Sequence, residues 1–261
     1  MRIGLGLGLT GGQRRAAAWM PTDVGGCLLY LLAGTAQLYQ DDAGTVPVTA
    51  TSDPVGRWAD LSASAYHLTQ ATAAQRGTYD GDGLGSGKPA VTFDGTDDGL
   101  TRVATLTASA ITVGLVWKLR AASGSGVIQT PIHVALDGSR ALLVHIGSNG
   151  GYTDLTVACN TAGSNGVGVA SLCNDTAVHY AVITYDGTGP TDPSKWTISV
   201  DGTPRTVATS GFCNVIAGTT SLGKYPTAFY AQANVRASIL YNSVLGTTDK
   251  AALTTYLAGL V

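Results

Sequence analysis

Ile111-Thr112-Val113-Gly114-Leu115-Val116-Trp117-Lys118-Leu119 is the stretch that decides the fold class. Ile111, Val113, Leu115, Trp117 and Leu119 occupy alternate positions, with Thr112, Gly114 and Lys118 between them. Period two is the spacing of a strand, whose successive side chains point to opposite faces, so one face of this segment is built for burial. The same alternation recurs at Val178, Tyr180 and Val182, and at Trp196, Ile198 and Val200. Asp137-Gly138 and Asp201-Gly202 stand between apolar runs and carry the dipeptide of a tight hairpin turn. Short strands separated by turns predict a sandwich or barrel.

Composition agrees. Of 261 residues, 35 are Gly, 44% are hydrophobic and only 12% are charged, with 15 basic and 17 acidic side chains and a net charge of -2. All 17 acidic residues are Asp, and 5 of the basic ones are Lys. Long helices draw on Glu, Lys, Ala and Leu for their exposed faces, so a helical bundle or coiled coil is excluded. The near-neutral balance excludes an electrostatic nucleic-acid binder, which needs a basic surface. Mean hydropathy of +0.18 excludes a disordered chain. No stretch approaches the roughly 18 to 20 apolar residues of a membrane span.

The two ends differ from the middle. Gly4, Gly6 and Gly8 alternate with Leu5, Leu7 and Leu9, and Arg14, Arg15 and Trp19 follow. A strand with Gly on every second position has one bare face, which suits close approach of another backbone. Residues 1–24 are therefore expected either to form an arm that adds to another subunit or assembly, or to be a floppy terminus; both readings stay open. Arg14 and Arg15 stand where a signal-peptide cleavage site would lie, which predicts synthesis in the cytoplasm without an export signal. At the other end Thr247 or Thr248 is the expected cap of a helix, with Asp249 in its first turn. Leu253, Tyr256, Leu257 and Leu260 would face the sandwich. Cys27, Cys159, Cys173 and Cys213 form no Cys-x-x-Cys pair; they read as buried thiols, with a Cys159–Cys173 bridge as the alternative.

Between these ends the spacing is specific. Leu28 to Ala33 is followed by Trp58-Ala59-Asp60-Leu61-Ser62, then Leu68-Thr69-Gln70, Arg76, and Lys88-Pro89-Ala90-Val91-Thr92-Phe93-Asp94-Gly95-Thr96-Asp97-Asp98. This pattern resembles the opening of the concanavalin A-like, or laminin-G-like, jelly-roll domains of bacterial surface proteins and bacteriophage structural proteins. Ala63 and Gly77 depart from the family's usual Gly and Pro. The resemblance implies an all-β sandwich of two antiparallel sheets over residues 25–261, closed by the short C-terminal helix. Trp58 and Phe93 are expected in the core, and Asp60 and Asp94 are expected to cap turns. The resemblance also implies ligand binding at the rim and, in some members, a calcium ion.

The search for chemistry follows from residue types. Jelly-roll glycanases carry catalytic Glu, and this chain has none. No Gly-x-Ser-x-Gly occurs, and His67, His133, His145 and His179 are scattered. Gly6-x-Gly8-x-x-Gly11 and Gly87-Lys88 lack the context of phosphate loops. A non-enzymatic protein is the resulting expectation. Hard oxygen ligands for Ca2+ would come from Asp97 and Asp98 or from Asp41 and Asp42. Asn149, Tyr152, Tyr225 and Tyr230 are the candidate glycan-binding residues. The expected function is a bacteriophage virion protein, a capsid decoration or a tail receptor binder for a host-surface glycan. It would be homo-oligomeric, as a trimer, and joined to other virion proteins through its arm. The alternative is a carbohydrate-binding or adhesin module of a bacterial cell surface.

Overall fold

Alternating apolar segments pair in the computed structural model, which describes residues 18–121, 129–136, 141–146, 155–160, 164–169, 175–213, 218–225 and 230–261. Chain order begins with β1 (Cys27–Leu32), β2 (Leu38–Tyr39), β3 (Arg57–Trp58), β4 (Leu68–Thr69), β5 (Thr78–Gly85), β6 (Lys88–Asp94) and β7 (Leu100–Val103). The middle holds β8 (Ile111–Leu119), β9 (Gln129–Ala135), β10 (Ala141–Ile146), β11 (Leu155–Asn160), β12 (Ser164–Val169) and β13 (Val178–Tyr185). The chain then adds β14 (Trp196–Val200), β15 (Thr203–Arg205), β16 (Ala208–Cys213), β17 (Thr219–Leu222), β18 (Gln232–Tyr241) and the helix α1 (Thr247–Ala258).

The strands form two antiparallel sheets, as the family resemblance implies. The eight-stranded sheet runs β15-β14-β13-β8-β18-β6-β5, and β1 also pairs with β18. The ten-stranded sheet runs β16-β12-β11-β10-β9-β17-β7-β4-β3-β2. Ile111, Val113, Leu115, Trp117 and Leu119 of β8 enter the core between the sheets, where they meet Trp58, Phe93, Leu142 and Val144. The turn expected at Asp201-Gly202 is present, and the strands on either side of Asp137-Gly138 pair antiparallel. Asp201 and Gly202 have φ of 52° and 73°, the double left-handed turn that Asp-Gly favours. Ala135 pairs with Ala141 across the other hairpin, although Asp137 and Gly138 lie outside the described residues.

One expectation, the helix cap, is corrected, while the helix does pack on a face of the sandwich. The second face of β8 is buried as well, because α1 lies on it: Leu253 and Leu257 pack with Val116, Ile239 and Tyr241. Gly114 makes this approach possible, since a Cβ there would stand 3.1 Å from Leu257 Cδ1. The helix is capped by Gly246 and not by a threonine side chain; Thr247 is its first residue, and Lys250 N donates to Gly246 O. Asp249 does occupy the first turn.

The aspartate expectations hold. Asp60 is 6% exposed and accepts from Tyr30 N, Ser62 N, Ser62 Oγ and Tyr66 N. Asp94 accepts from Thr96 N at 2.7 Å. Cys27 is a free thiol, and burial pushes its pKa up to about 12. The Cys159–Cys173 pairing lies outside the described residues. Among the described residues no helix is long and apolar enough to cross a membrane.

Candidate functional site

The helix covers the outer side of the eight-stranded sheet, and among the described residues no helix lies over the outer side of the ten-stranded sheet. Its composition follows from strand alternation. Trp58, Leu68, Leu100, Leu222 and Ile132 point into the core, which turns Arg57, Thr69, Thr101, Ser221 and His133 outward. Pairing aligns these five: Arg57 with Thr69, Thr69 with Thr101, Thr101 with Ser221, and Ser221 with His133. One polar row thus crosses β3, β4, β7, β17 and β9. Exposure falls along it, from partly exposed Arg57, Thr69 and Thr101 to fully buried Ser221 and His133.

The open end of the row is a cavity of about 380 Å³ lined by Arg57, His67, Thr69, Thr101, Arg102 and Val103. Arg57 Nη1 donates to Ala43 O at 2.8 Å, and its guanidinium lies 6.0 Å from the Tyr39 ring centre. Arg102 Nη1 donates to Ala65 O at 3.2 Å, with the guanidinium 4.6 Å over the Tyr66 ring. Among the described residues no carboxylate pairs with either arginine, whereas Arg76 does meet Asp42. His67 Nδ1 accepts from Asp60 N at 3.0 Å, which leaves Nε2 as its proton-bearing nitrogen. Burial, and then the Arg57 charge, push the His67 pKa down, while Asp60 opposes.

At the buried end, His133 and His145 sit beside Tyr225, with ring centres 5.4 Å and 6.3 Å away. Burial pushes His133 down to about 4 and His145 to about 3; repulsion from His133 adds to the second shift. The two histidines are neutral packing groups at neutral pH. Tyr225 is 4% exposed, so it is a packed ring and not the open stacking platform expected of it. Tyr230 is half-buried at the entrance to β18. Asn149 and Tyr152 lie outside the described residues, as do Leu5, Leu7, Leu9, Arg14 and Arg15 of the expected arm. Trp19 does not reach outward: its ring packs edge-on against Tyr256 of α1 at 6.0 Å, which joins residues 18–24 to the domain.

The acidic candidates divide. Asp41 accepts from Thr45 N, Val46 N and Thr45 Oγ1, bonds that hold its pKa down at about 2. Asp42 turns instead to Arg76 at 3.8 Å. Asp41 thus caps a turn and Asp42 meets an arginine, and among the described residues neither belongs to a cluster of three metal-ligating side chains. Asp97 and Asp98 do converge, together with Asp94, with carboxylate oxygens within 4.8 Å of one another. Burial pushes Asp98 up to about 6, and repulsion from Asp94 and Asp97 adds to it. Three carboxylates of this kind suit a hard cation, and Asp94, Asp97 and Asp98 would hold Ca2+.

No protein-family model matches the sequence, and no curated protein matches it. Solved structures do resemble the fold. An arabinofuranosidase complexed with arabinofuranosyl-alpha-1,2-xylobiose superposes with a TM-score of 0.57 at 14% identity, covering 92% of this chain and 65% of that one. Domain 4 of an extracellular arabinanase from Geobacillus stearothermophilus, in complex with arabinotriose, gives 0.53 at 11% identity, covering 90% and 97%. Trypanosoma rangeli sialidase with sialic acid gives 0.52 at 10% identity, covering 92% and 34%. The chain therefore spans just under two thirds of the arabinofuranosidase and about a third of the sialidase. These neighbours overturn the expectation of a non-enzymatic protein. The arabinofuranosidase and the sialidase contain this fold within longer chains, so the fold is not confined to non-enzymatic proteins. At these identities the likeness shows the fold alone. It lends nothing to the bacteriophage association.

Proposed function

We propose that this chain is a glycan-binding β-sandwich module of a bacterial cell surface, with its ligand seated along the polar row of the ten-stranded sheet. The observation that carries the reading is the alignment of Arg57, Thr69 and Thr101 across three adjacent strands beside an open cavity. Rigid strands hold hydroxyl and guanidinium donors in a line, the arrangement that recognises a polyhydroxylated chain without reorganisation. Neighbours of the same fold that hold oligosaccharides support it.

The test is calorimetric titration of the purified chain with a panel of plant and bacterial oligosaccharides, with reducing-sugar release read in the same samples. Saturable binding that weakens in a Thr101→Val variant supports the reading. Failure of every glycan to bind would reject it. Release of sugar would make the module an enzyme acting on the ligand it binds. Immunogold labelling tests the location: label on cells agrees with the proposal, and label confined to phage particles returns the chain to the virion.

A further inference from the structure

We propose that the cavity between Arg57 and Arg102 is an anion subsite that takes the acidic group of a charged sugar, a carboxylate or a sulfate ester. This rests on the glycan-binding reading above and adds the chemical class of the ligand. Among the described residues the lining offers donors and no acid: two guanidinium groups, the His67 Nε2 proton, and the hydroxyls of Thr69 and Thr101. Asp60 stands behind His67, but its carboxylate is occupied by two backbone amides from β1 and the following turn, a third at Tyr66, and one hydroxyl.

Among the described residues the arginines are held by groups that do not neutralise them. Each is fixed by a backbone carbonyl and an aromatic ring: Ala43 O and Tyr39 for one, Ala65 O and Tyr66 for the other. A carbonyl uses one of the five N–H donors of a guanidinium and none of its charge. The positive potential is thus left to the cavity in a chain whose net charge is -2, so it is not the spill-over of a basic surface. A neutral sugar would leave both cations without a counter-ion. A planar carboxylate or a sulfate oxygen pair matches the guanidinium fork and binds by charge-assisted hydrogen bonds.

The experiment uses trigalacturonate, its methyl ester, a heparin-derived sulfated disaccharide and neutral arabinotriose, each titrated into the full chain at low salt. The acid is expected to bind at least about tenfold tighter than its ester, equal to ~1.4 kcal/mol, and this preference should shrink as salt is added. Arg102→Gln should bring the acid's affinity down to that of the ester, and Arg102→Lys should restore part of it. Arg57 also ties down Ala43, so Arg57→Gln is read only alongside its melting curve. A sulfated disaccharide favoured over the uronate supports the subsite with sulfate as the oxyanion. Equal affinity for acid and ester overturns the proposal and leaves the glycan reading standing. A preference that survives Arg102→Gln in a cooperatively melting protein overturns it too. Absence of binding by all four sugars overturns the subsite, and the glycan reading falls with it only if the wider oligosaccharide panel also fails to bind.

Discussion

Asp60 ties three separate pieces of backbone together: the middle of β1 at Tyr30, the turn at Ser62 and the approach to β4 at Tyr66. Its replacement by Ala would strand several buried donors, each costing about 1–3 kcal/mol. Urea denaturation of Asp60→Ala should therefore show a loss of about 3 kcal/mol or more, with Asp60→Asn intermediate. His133 and His145 set an acid limit. Their folded pKa values of about 4 and about 3 lie below the ordinary 6.5, so the unfolded chain binds protons first as pH falls. The stability present above pH 6.5 should decline below it, by about 2 kcal/mol per histidine at pH 5. Thermal melts from pH 7.5 to 5 check this, and a His133→Asn/His145→Asn variant should flatten the slope. Asp60 was legible in the sequence as a turn cap because a capping bond is local. Its bond to Tyr30 was not, since that partner is brought near by the fold.

At the scale of elements, the Asp201-Gly202 turn and the α1 contact make separate claims. Asp201 holds a positive φ while Oδ1 accepts from Tyr180 N and Oδ2 meets His179 Nδ1 at 2.8 Å. Asp201→Ala loses both bonds and puts a Cβ residue with no local polar partner in a left-handed conformation. A loss of about 1–3 kcal/mol is expected from denaturant midpoints. Leu257 is fully buried between α1 and β8. Leu257→Ala should cost about 2–5 kcal/mol, while Leu257→Met should cost less than about 1.5 kcal/mol. The helix itself was readable from the spacing of Leu253, Leu257 and Leu260. Its cap was misread because Thr247 and Thr248 satisfy the sequence rule, whereas the chain enters the helix one residue earlier at Gly246.

For the whole molecule, the layers separate the helix packing from the proposed glycan site. The helix lies on one side of the sandwich and the polar row on the other, with the core between them. Distant sites of this kind contribute independently. Leu257→Ala should lower the melting temperature with unchanged glycan affinity, and Thr101→Val should do the reverse; calorimetry and melts on the same pair decide it. The sequence by itself determined the all-β class, the buried face of β8, the pairing of both hairpins, the terminal helix and the core position of Phe93. All of these rest on periodicity or turn chemistry, which neighbouring residues impose on one another. Only the tertiary structure decided the site. β3 and β4 are two residues long, too short to show any period, and Arg57, Thr69, Thr101 and Ser221 become neighbours through pairings between distant segments. The packing of Tyr225 against His133 and of Trp19 against Tyr256 was hidden for the same reason: what covers a side chain is set by which surfaces the fold presses together.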